Sequence, residues 1–174
     1  MKLTFYGGAK SVTGANYLLE SGGEKILIDC GMHQGDRFTE AQNFEPFPYD
    51  PSEISAVFIT HAHIDHTGLL PKLIKEGFKG KVYSTPPTRD FAELLLMDSE
   101  HILVQEAEHH KKPMIYSVRE IEELMANWEG IEYHKPLSLK NFKITFYNAG
   151  HILGSSFIQV EADGKKIIFS GDLG

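Results

Sequence analysis

A chain of 174 residues, 41% hydrophobic and 24% charged, has ordinary globular composition and enough apolar material for one good core. No apolar run approaches the roughly 20 residues of a membrane span, and Met1-Lys2-Leu3-Thr4-Phe5-Tyr6-Gly7 is broken by glycine too early for a secretion signal. The lone Cys30 excludes an internal disulfide and points to a reducing cytoplasm, and a net charge of −7 argues against a broad basic nucleic-acid surface.

In chain order, strands are expected at 2–6, 15–19 and 25–28, the last two joined by a turn at Ser21-Gly22-Gly23. The segment 43–51 holds three prolines and reads as a loop. A buried run at 54–60 is a further strand, followed by a helix at 66–75 with Gly77 just past its end. A strand at 81–84 and a long helix near 87–110 come next, then a helix at 118–128 with a capping box from Ser117 to Glu120 and Gly130 beyond its end. Strands at 131–133, 142–147, 156–161 and 165–169 complete the chain, the last two joined by a two-residue turn at Asp163-Gly164. There is no repeat, low-complexity stretch or linker. Strands that come mostly as hairpins, with helices inserted between them, suit a layered α/β sandwich with mixed sheets better than a doubly wound parallel sheet.

Between the fourth strand and the helix after it lies His61-Ala62-His63-Ile64-Asp65-His66. Imidazoles and a carboxylate on one short strand-to-helix loop suit zinc, iron or manganese, and these four are more than one ion needs. The pattern therefore reads as a two-metal site. Further ligands follow other strands: His151 sits in Ala149-Gly150-His151 after 142–147, and Asp172 in Ser170-Gly171-Asp172 after 165–169. Asp29 ends the run at 25–28. Each stands where loops on a sheet scaffold gather functional side chains.

Other candidates have plainer readings. His33, His101, His109, His110 and His134 are expected to be surface or structural residues. Glu106, Glu108, Glu120, Glu122 and Glu123 read as solvated helix faces, and Leu94, Leu95, Leu96, Ile102 and Leu103 as core. Cys30, beside Asp29, is read as a small buried hydrophobe and not a ligand.

Asp29, the His61 to His66 run, His151 and Asp172 resemble, in order, the first four motifs of the metallo-β-lactamase fold. Three more segments narrow the likeness to the β-CASP branch of RNA-processing nucleases. They are Gly7-Gly8-Ala9-Lys10-Ser11-Val12-Thr13-Gly14-Ala15-Asn16-Tyr17, Asp29-Cys30-Gly31-Met32-His33-Gln34-Gly35, and Thr85-Pro86-Pro87-Thr88 followed by Leu94-Leu95-Leu96-Met97-Asp98-Ser99. The resemblance implies an αββα sandwich with mixed sheets, incomplete at the C-terminus, and a hydrolase with two zinc ions, manganese or iron being possible substitutes. His61, His63 and His151 would hold the first ion, Asp65 and His66 the second, and Asp172 would bridge them. Asp65 would also orient the attacking hydroxide, and Asp29 would orient a ligand.

Members of that branch carry an insertion after the fourth motif and then C-terminal histidines, one completing the second metal site and another protonating the leaving group. The chain ends at Gly174, so it is expected to be the N-terminal part, 1–174, of a longer enzyme, with an exposed apolar edge near 165–173 that favours self-association or a homodimer. The expected substrate of that enzyme is RNA, held mainly by parts other than this segment. The alternatives are a hydrolase of esters, thioesters or lactams on the same metal core, glyoxalase II-like or lactonase-like, or a scaffold subunit without activity.

Overall fold

Among the residues described by the computed structural model, 1–111 and 113–174, the chain builds two sheets; the side chain of His110 lies outside that description. β1 (Lys2–Gly7), β2 (Asn16–Ser21) and β3 (Glu24–Cys30) form an antiparallel meander. A short helix α1 (Arg37–Ala41), capped by the Asp36 carboxylate on the Thr39 amide, leads to β4 (Ala56–Phe58), which lies parallel to β3. Two more parallel crossovers follow. The first carries α2 (Ile64–Thr67) and α3 (Leu70–Lys75) to β5 (Lys81–Ser84); the second carries α4 (Pro86–His110) and α5 (Val118–Ala126) to β6 (Trp128–Gly130). The second sheet is antiparallel, with β7 (Leu137–Leu139), β8 (Phe142–Asn148), β9 (Ser156–Ala162) and β10 (Lys165–Phe169) in the order β10-β9-β8-β7.

The two-residue period of a strand divides the middle of the first sheet between two cores. Leu27 of β3 and Val57 of β4 face one side, where they pack with Leu70, Leu73, Leu96, Ile121 and Leu124 from the helices. Ile26, Ile28, Ala56 and Phe58 face the other side and meet Ile144, Phe146, Ile158 and Val160 of the second sheet. All eight residues in that second group are buried to within 1% of complete, and full burial of each of them but Ala56 contributes about 1.5–3 kcal/mol. Among the described residues, no helical residue enters the second core. The layers are therefore helix, mixed sheet and antiparallel sheet, and the second helical layer of an αββα sandwich is absent among the described residues. On the outer face of the second sheet, cross-strand neighbours Lys143, Glu161 and Lys166 alternate in charge, as suits a solvated face.

Several elements differ from their expected form. The helix expected at 66–75 is two pieces, because Pro71 opens a new helix after Gly68 has ended the first. The expected strand at 54–60 shortens to Ala56–Phe58, since the Thr60 amide turns to a side chain instead of the ladder. The third long helix stops at Ala126, and Trp128 begins a strand where helix was expected; its buried indole donates to Ser84 Oγ at 2.9 Å. Leu94 and Ile102 are not core: they are 67% and 53% exposed, while Leu96 is fully buried. Leu94 lies two residues from both Ala92 and Leu96, hence near the opposite side of a helix with 100° per residue. Glu120 is not merely solvated, because its carboxylate accepts from the Ser117 amide and hydroxyl as the capping box requires. Strand β7 and helix α1 had no clear sequence signal.

Candidate metal centre

Strands β3, β4, β8 and β10 all end at one rim of the sandwich, because β3 and β4 run parallel and β8 and β10 both oppose β9. The polar residues singled out in the sequence follow these strand ends. His61 and His63 leave β4, and Asp65 and His66 ride on the single turn α2. That turn is tied down by backbone bonds: the Ala15 amide donates to Asp65 O, and the Met32 amide to Ile64 O, both at 2.9 Å. Gly31 makes the approach possible, since a Cβ there would lie 1.6 Å from the Asp65 carbonyl oxygen.

One donor group forms around His61, His63, His151 and Asp172, whose ligand atoms all lie within 4.8 Å of one another. His61 Nε2 is 3.1 Å from His63 Nδ1, and His151 Nε2 is 3.3 Å from the same atom. Asp172 Oδ2 lies 3.8 Å from His61 Nε2 and 3.6 Å from His151 Nε2. The other carboxylate oxygen, Oδ1, turns to a second group, 3.6 Å from His66 Nε2, which in turn lies 3.8 Å from Asp65 Oδ2. Asp172 thus presents one oxygen to each group.

Asp29 stands behind both groups. It is fully buried and is the extra residue of a bulge between β2 and β3, held at φ 58°, a left-handed conformation that a non-glycine residue rarely takes. Its Oδ1 accepts from the Thr60 amide at 2.8 Å; its Oδ2 accepts from Thr60 Oγ1 at 2.9 Å and from His66 Nδ1 at 2.8 Å. Thr60 Oγ1 has one proton and gives it to Asp29, so at 3.1 Å it accepts from His61 Nδ1. One carboxylate therefore fixes the Nδ1–H tautomer of an imidazole in each group and leaves both Nε2 atoms aimed forward.

Charge follows this wiring. Burial drives His61 down to about 2, helped by His66, His63 and His151. Burial also opposes a charge on His66, but the adjoining Asp29 carboxylate, with Asp65 and Asp172 beyond, outweighs it and raises that histidine above the usual range. A single proton on His63 Nδ1 satisfies at most one of its two imidazole neighbours. Three nitrogens and a carboxylate oxygen converging in this way are the donor set of a divalent cation of the zinc type.

Every metal-ligand candidate from the sequence lies in one of the two groups, and Asp29 lies behind them. Of the other histidines, His101 and His109 are exposed on α4, His134 packs edge-on to Tyr147, and His33 exchanges backbone bonds with the Asn43 side chain. Cys30 is fully buried next to Asn16, and burial pushes its thiol up and out of reach of ionisation. The sequence reading passed over Thr60, which it placed inside a strand; a hydroxyl residue immediately before the first histidine was the available signal.

The model of the metallo-beta-lactamase superfamily matches residues 12–174. The chain is 38% identical, over its whole length, to a ribonuclease of Thermus thermophilus, of which it spans 38%. It is 36% identical over 99% of its length to a transcription termination factor of Methanosarcina mazei, of which it spans 27%. Among solved structures, a metallo-beta-lactamase fold protein of Bacillus subtilis superposes with a TM-score of 0.58 at 17% identity, covering 98% of this chain and 62% of that one.

Proposed function

The chain belongs to the metallo-beta-lactamase superfamily, and from that premise we propose that it carries the metal-binding part of a hydrolase that cleaves phosphodiester bonds in RNA. The observation that carries the two-metal reading is the division of Asp172, with Oδ2 at His61 and His151 and Oδ1 at His66. The relative named as a ribonuclease supports RNA as the substrate class. In this reading His61, His63, His151 and Asp172 would hold one zinc ion, and Asp65, His66 and Asp172 would hold a second; manganese or iron would fit the same donors.

Such a pair of ions supplies Lewis acidity, which brings the ionisation of water towards neutral pH and offsets charge growing on a phosphate. The rest belongs to the protein. Asp65 orients the attacking water and takes up its proton. Asp29 and Thr60 keep the two Nε2 lone pairs forward, so that neither imidazole has to reorient as the ions bind. The chain's charge of −7 repels a polyanion, so RNA is held chiefly by parts of the protein beyond this segment.

The two groups are unequal: the first offers three imidazoles and a carboxylate, the second one imidazole and two carboxylates. Calorimetric titration of zinc into metal-free protein is therefore expected to show one tight and one weak step. Two equal tight steps would mean that the second group is completed from elsewhere, and no uptake would overturn the metal reading. In the full-length protein, metal-dependent cleavage of a labelled RNA is expected, abolished by a chelator. Hydrolysis of a thioester or lactam with RNA left intact would move the substrate to those classes.

A further inference from the structure

The loop that carries His151 is held at Gly154, beside its base, by a helix end that plays no part in the donor groups. Thr85, the N-cap of α4, donates its hydroxyl to the Gly154 carbonyl oxygen at 2.6 Å, and Thr88 donates to the same oxygen at 2.9 Å. Each hydroxyl has one proton and the carbonyl has two lone pairs, so both bonds form together, and Thr85 Oγ1 keeps a lone pair for the Thr88 amide at 3.4 Å. Both threonines are at most 1% exposed. Gly154 sits at φ 86°, and a Cβ there would meet the Thr88 amide nitrogen at 2.7 Å. The joint accepts only glycine.

From that joint the constraint runs back to the imidazole. Ser155, next in the chain, accepts at Oγ from the amides of His151 and Ile152, at 3.1 and 3.2 Å, and the Ala149 amide donates to Ser155 O at 3.1 Å. The loop 149–155 is thus closed at its base and pinned beside it, at Gly154. We propose that Thr85 and Thr88 are positioning residues for His151, holding Gly154 so that the loop aims Nε2 of His151 at His63 and Asp172. The proposal rests on the reading of that group as a metal site. It gives a function to the Thr85-Pro86-Pro87-Thr88 segment, which no ligand role explains.

Cobalt(II) titration of metal-free protein, followed by the visible ligand-field bands, tests it. Wild type is expected to show a tight cobalt site. Thr88→Val, equal in shape but without a donor, is expected to weaken that site about tenfold, as loss of an outer partner of a ligand does, and to alter the bands. Thr88→Ser restores the donor and is expected to recover both. Gly154→Ala attacks the joint from the other side and is expected to reproduce the loss, which keeps the test decisive if Thr88→Val does not fold. Ser21→Ala, which removes a buried hydroxyl bonded to Asp163 at the end of β2 away from the site, is expected to leave affinity and bands unchanged. Wild-type uptake with unaltered affinity and spectrum in Thr88→Val and Gly154→Ala overturns the clamp alone. Absence of cobalt uptake by wild type overturns the metal reading and the clamp with it.

Discussion

Asp29 shows how one side chain sets the chemistry of two others. It bonds His66 directly and His61 only through Thr60. Its carboxylate raises His66, while burial and the neighbouring imidazoles lower His61, and these opposite charge preferences translate into stability of the metal-free protein. His61 stays neutral when folded but takes a proton when unfolded below about pH 6.5, so its contribution is present above that pH and falls away as pH drops. His66 is raised, so its contribution is complete below about pH 6.5 and is lost as pH rises through its folded value. Urea unfolding in chelator is therefore expected to lose up to about 1.4 kcal/mol per pH unit between about pH 6.5 and pH 5 through His61, a window above the titration of most carboxylates. In His61→Asn that acid slope should flatten; an unchanged slope would show that His61 already holds its proton in the fold.

Asp65 tests the proposed chemistry. Asp65→Asn keeps the size and one ligating oxygen but removes the charge and the proton acceptor of the proposed reaction. Turnover on RNA is expected to fall by about a hundredfold or more, with RNA affinity nearly unchanged. Wild-type turnover with both ions bound would refute the assigned role. The residues of the two donor groups were legible in the sequence because metal chemistry needs scarce residue types, which stand here at the ends of strands. Thr60, Thr85 and Thr88 were not, because threonine is common and only the folded distances show what its hydroxyl touches.

At the scale of elements, strands read from the sequence were mostly placed well, while helix faces and helix ends were less legible. The apolar run Leu94-Leu95-Leu96 has no period within itself, so it could not tell which residue faces inward. The structure turns Leu96 to the core and Leu94 to solvent. Leu96→Ala is expected to cost about 2–5 kcal/mol, and Leu94→Asp within about 0.5 kcal/mol of nothing, by chemical denaturation. Equal losses would mean that α4 is rotated. The stop at Ala126 was hidden for a different reason: Trp128 finds its partner, Ser84, 44 positions away, and no local propensity reports that bond.

For the whole molecule, two open edges matter. β10 ends the second sheet with Ile168 57% exposed and Leu173 66% exposed just beyond, and Phe5 of the edge strand β1 is 55% exposed. Phe5 and Ile168, together with Val12, Tyr17 and Phe169, line a groove that reaches His66 and Asp172. An unpaired strand with apolar neighbours recruits other strands. Sedimentation of this chain is expected to show concentration-dependent association, reduced by Ile168→Lys. A clean monomer at high concentration would contradict this, as would association that the lysine does not change.

The donor group also straddles a seam. His61 and His63 leave the first sheet, while His151 and Asp172 leave the second, and across that rim the backbone supplies the Ser156 amide and hydroxyl on the Thr60 carbonyl, at 2.8 and 3.0 Å. In mechanical terms, an ion seated there is a rivet through two plates. Without it, sliding of one sheet over the other is resisted by a few hydrogen bonds at this rim, by those joining Ser21 to Asp163 and Asn141 at the far rim, and by the apolar core between. With it, the same displacement has to stretch coordinate bonds. The ion's contribution to rigidity therefore has a direction, stiff along the sliding axis and slight against bending of either sheet alone, and a force applied between β4 and β9 should meet it first.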